Sequence, residues 1–114
     1  MADPLAAFPN VEDETDRDLA ERHQRAVRDW EGTGVDGLVY EYRTQFHRDP
    51  LVTQTDEAYY LSVRGHVWDE FGERMGLSDD ELARLKEIHA EQFAASVGEE
   101  ADHGNDEPMI LTKE

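Results

Sequence analysis

Two histidines stand where that residue type is least expected. His23 recurs with Leu19, Ala26, Val27 and Trp30 at helical spacing, and His89 lies in a stripe with Leu85, Ile88 and Phe93. Two imidazoles brought together in an interior could bind a metal or act as a protonation switch, because imidazole is a common ligand and titrates near neutrality. Metal sites in helical bundles also recruit carboxylates, at Glu-x-x-His spacing; the residues three before His23 and His89 are Ala20 and Lys86. The expectation is therefore a neutral histidine hydrogen-bonded within the core, with Tyr42, Tyr59, Tyr60, Gln92 or Ser96 as partner, and with no metal and no cofactor. A histidine that only fills the core should be replaceable by leucine at little cost. His47, His66 and His103 fall on polar faces or in an acidic tail, where a titrating side chain is ordinary.

A second feature is the pair Gly65 and Gly72, which share one side of an expected helix with Trp68, near Tyr60. Glycine inside a helix costs about 1 kcal/mol relative to alanine, so the pair predicts a notch. Either a second helix crosses closely there, or the notch, with His23, His89, Tyr60 and Trp68, forms a slot for a ligand or a partner's side chain. The segment "GTGVDG" matches the glycine spacing of dinucleotide loops, but an amphipathic helix precedes it where that chemistry requires a strand. "GLSDDELARLKEI" has the outline of a helix-turn-helix reader, yet Arg84 and Lys86 are outnumbered by Asp79, Asp80, Glu81, Glu87 and Glu91, which argues against direct binding to nucleic acid. No catalytic set emerges: there is no cysteine, no G-x-S-x-G, no H-E-x-x-H and no phosphate loop.

The charge is lopsided. Twenty-eight Asp and Glu face eleven Lys and Arg, a formal net charge of −17, and Lys86 and Lys113 are the only lysines. Self-repulsion of this size loosens a compact chain in dilute buffer, whereas at about 1 M ionic strength the Debye length falls to about 3 Å and the carboxylates are screened from one another. Acid-rich, lysine-poor composition of this kind resembles that of cytoplasmic proteins of salt-loving archaea, which implies a working environment of molar salt. A basic partner would account for the same charge if it were concentrated on one face, but it is spread along the chain. The lack of cysteine, of a signal-like N-terminus and of a membrane-length apolar run points to a cytoplasmic protein with no membrane partner.

Four helices are expected to position these residues: one from about Thr15 to Glu31, a short one from Asp36 to His47, one from an Asp56 N-cap to Met75, and one from the Ser78–Glu81 capping box to Val97. "GLVYEYRTQF" also has strand-like content, so a short strand over residues 36–47 stays open. The predicted fold class is all-α: a small bundle of three long helices and one short, with acidic flexible tails. It divides into a loose arm over residues 1–13, which lies over the core if Leu5 and Phe8 pack, a helical domain over 14–97 and an acidic tail over 98–114. In function it reads as a non-enzymatic interaction or regulatory module with a protein partner, docking through the aromatic third helix or the tail's "EPMILTKE". The rival is a small ligand- or metal-binding protein, or enzyme, with an internal pocket near His23 and His89.

Overall fold

The computed structural model describes residues 5–29, 34–45, 51–98 and 107–113. Helix α1 (Glu14–Arg28) opens on Asp13, whose carboxylate accepts the Asp16 N–H at 3.2 Å. Helix α2 (Gly34–Gln45) follows, so the stretch that was open between helix and strand is helical, and Asp36 lies in its first turn rather than capping it. The expected extensions to Glu31 and His47, with Trp30, fall outside the described residues.

Downstream the all-α expectation fails. Strands β1 (Leu51–Gln54) and β2 (Ala58–Val63) form an antiparallel hairpin, and β3 (Glu107–Thr112) pairs antiparallel with the far side of β2, in the sheet order β1-β2-β3. Asp56 caps no helix. It sits in the hairpin turn, where Thr55 accepts the N–H groups of Glu57 and Ala58 on its hydroxyl, each at 3.2 Å, and donates its own to the Ala58 carbonyl. The expected third helix is thus split: helix α3 spans only Gly65–Met75. The stripe through Tyr60, Val63, Val67, Phe71 and Met75 crosses a strand–helix junction at Arg64. The physical reason lies in β2, a central strand covered on both faces. Ala58, Tyr60, Leu61 and Val63 are all buried, so period-2 alternation, the sequence mark of a half-exposed strand, is absent.

Helix α4 (Asp79–Ser96) starts where expected. Ser78 Oγ accepts the Glu81 N–H at 3.1 Å and Glu81 Oε1 accepts the Ser78 N–H at 2.9 Å, while Gly76 closes α3 in the left-handed region at φ 68°. Arg84 forks onto Asp16 through Nε at 2.9 Å and Nη2 at 2.5 Å, tying α4 to α1. This guanidinium holds the Asp16 carboxyl below its usual value.

Both ends of the described chain join the core. Leu5, Ala7 and Phe8 are buried. Within the predicted acidic tail, Met109, Ile110, Leu111 and Thr112 have no exposed surface. An apolar run of this length flanked by charge is also the signature of a buried strand, which periodicity cannot separate from a solvated tail with a greasy tip. Truncation after Gly98 is expected to abolish the cooperative melting transition, and Ile110→Ala to cost about 2–5 kcal/mol by urea unfolding. A truncated chain that melts like the full one would show β3 to be dispensable.

Candidate functional site

Helices α1, α3 and α4 bring three nitrogen-bearing rings to one point. The His23 and His89 centroids are 5.0 Å apart at 85°, and Trp68 of α3 stands 4.9 Å from His23 and 4.8 Å from His89. Phe71 lies edge-on to His23 at 4.6 Å and Phe8 edge-on to His89 at 5.1 Å, so the pair is walled in by aromatic faces. Neither imidazole has exposed surface. Burial holds the His23 ring down at about 3; His89 is pushed well below 6.5 by burial first and by facing His23 second.

The hydrogen-bond partners are not the expected tyrosines, Gln92 or Ser96. The N–H of Ile110 donates to His89 Nδ1 at 2.9 Å, and that of Thr112 donates to Gln24 Oε1 at 2.7 Å. Gln24 Nε2 donates in turn to the Ile110 carbonyl at 2.7 Å and lies 3.3 Å from His23 Nδ1. These bonds fall along the edge of β3 that faces away from β2. The Gln24 carboxamide spans one residue's C=O and the N–H two residues on, as a neighbouring strand would, and His89 completes the row. Pro108, on the same outward parity as Ile110 and Thr112, has no N–H to satisfy. Gln24 was missed because it lies beside, not within, the apolar stripe of α1; its only sequence signal is its place between Ala20 and Val27 on a neighbouring face.

The same bonds assign the tautomers. His89 Nδ1 accepts a backbone proton, so the ring's own proton sits on Nε2. The Gln24 amide, oriented by Thr112, points its second N–H at His23 Nδ1 and leaves that ring's proton on Nε2 as well. Nε2 of each ring then has no lone pair to offer a metal. These two N–H groups and the indole N–H of Trp68 have no hydrogen-bond partner among the described residues and abut aromatic rings.

Of the expected site residues, His23, His89 and Trp68 converge. Tyr60 packs edge-on to Phe93 at 5.7 Å from within β2. Gly65 and Gly72 share no slot: a Cβ on Gly65 would lie 3.7 Å from Glu107 Oε2, at the start of β3, and one on Gly72 would lie 2.9 Å from Leu82 Cδ2. Leu82 of α4 is the close crossing that Gly72 admits. His66 is exposed, while His47 and His103 lie outside the described residues. A cleft of about 270 Å³ over the α1–α4 seam is lined by Asn10, Asp16, Arg84, Glu91 and Gln92 among others, and an open groove of about 470 Å³ runs beside Ala90, Ala94 and Ala95. Neither reaches His23 or His89.

A family model described as "Domain of unknown function (DUF8048)" matches residues 3–112. The chain belongs to that family. The DUF8048 match takes in every helix and strand described above, β3 included. No curated protein and no solved structure matches the chain.

His89→Leu is expected to cost about 1–3 kcal/mol, rather than nothing, because it strands the buried Ile110 N–H; Gln24→Leu, which strands two β3 groups, should cost more. Unchanged urea midpoints for both would dissolve this role. Both imidazoles titrate lower in the fold than in the unfolded chain, so acid loads the unfolded state first. Their contribution is whole above the ordinary value of 6.5 and drains away as pH falls toward the folded values. In molar salt, unfolding free energy should drop by roughly 4 kcal/mol between about pH 8 and pH 5, a range that spares most carboxylates. A flat profile there would contradict two buried neutral rings.

Proposed function

We propose that this chain is a non-enzymatic protein-interaction or regulatory module working in the cytoplasm of a high-salt cell. The observation that carries it is the use to which the interior's polar groups are put. Gln24 and His89, with His23 behind them, are engaged in satisfying the edge of β3, and the two clefts described above, among the described residues, do not reach them. No helix of the described residues is long and apolar enough to cross a membrane. A net charge of −17 with two lysines fits a surface meant for brine.

The docking elements differ from those first expected. Val67, Trp68 and Phe71 of α3 are buried, and so is the apolar part of "EPMILTKE". Among the described residues the exposed large apolar side chains are Tyr40, 70% exposed on α2, and Val52, 45% exposed on β1. Tyr59 of β2 donates its hydroxyl to Asp36 at 2.5 Å, one helical turn before Tyr40, which anchors α2 beside the β1–β2 hairpin. A partner would meet the exposed Tyr40 ring of α2 and the Val52 side chain of β1.

One observation favours the rival, a small ligand accepted at the ring cluster: the three unpartnered N–H groups of His23, His89 and Trp68. Against it stands the ring-to-ring packing, which admits nothing unless the core opens.

Tyr40→Ala and Val52→Thr should leave melting unchanged and weaken, by about tenfold, retention of the partner recovered by high-salt affinity purification from the native host. Equal retention by both variants would remove this surface from the proposal. The melting temperature should climb steadily from millimolar to molar KCl, and a salt-independent value would remove the brine environment from it.

A further inference from the structure

We draw no further inference here: the strongest candidate, the buried ring cluster of His23, His89 and Trp68 where α1, α3 and α4 meet, belongs to the site already described, and its bonds to β3 and its response to acid are derived there.

Discussion

A strand whose outer edge faces helices instead of another strand carries N–H and C=O groups that water cannot reach. Each one left unpaired costs about 1–3 kcal/mol, comparable with a good part of a small domain's stability. In this protein the edge belongs to β3, and the solution is a borrowed strand made of side chains. The Gln24 carboxamide bridges the Ile110 carbonyl and the Thr112 N–H, and the His89 ring takes the Ile110 N–H. Several other features follow. Helices α1 and α4 must run side by side to present the two residues, and the Arg84–Asp16 fork secures that approach. Both imidazoles must stay neutral, since a proton on His89 Nδ1 would oppose a donor with a donor. The aromatic wall of Trp68, Phe71 and Phe8 keeps them so by excluding water.

The electrostatics divide cleanly into inside and outside. Within, His23 and His89 are uncharged, their proton affinity lowered by burial, and burial likewise holds the Tyr42 hydroxyl protonated. Outside lies the carboxylate excess, relieved locally by ion pairs such as those of Arg84 with Asp16 and Glu87. The buried part is insensitive to salt and responds to mild acid, while the exposed part is screened by salt and keeps its charge until pH falls into the carboxylate range.

Helix existence was largely legible along the chain. Apolar spacing marks α1 and α4, and the Ser78–Glu81 box marks a boundary to the residue, because capping is satisfied within four consecutive residues and needs no tertiary partner. The meeting of His23 and His89 was also readable, since each lies in a stripe that must face inward. The sheet was not. "LVTQTDEAYYLSV" holds two β-rich runs around a polar turn, a usable hairpin signal, but Tyr60 and Val63 fall in helical phase with Val67 and Phe71 beyond Arg64. Chance phase across a junction imitated one long helix.

By itself the amino-acid sequence determined the acidic surface, the absence of thiol chemistry, the Gly76 stop and Ser78–Glu81 box between α3 and α4, and the inward place of two histidines, all properties set by composition or by neighbours within a turn or two. Only the tertiary structure decided that Met109–Leu111 is core rather than tail, that Gln24 belongs beside His89, and which nitrogen of each imidazole carries the proton. Those outcomes depend on bonds between residues more than twenty positions apart, such as Ile110 with His89 and Thr112 with Gln24, and no local pattern records which distant edge a strand will meet.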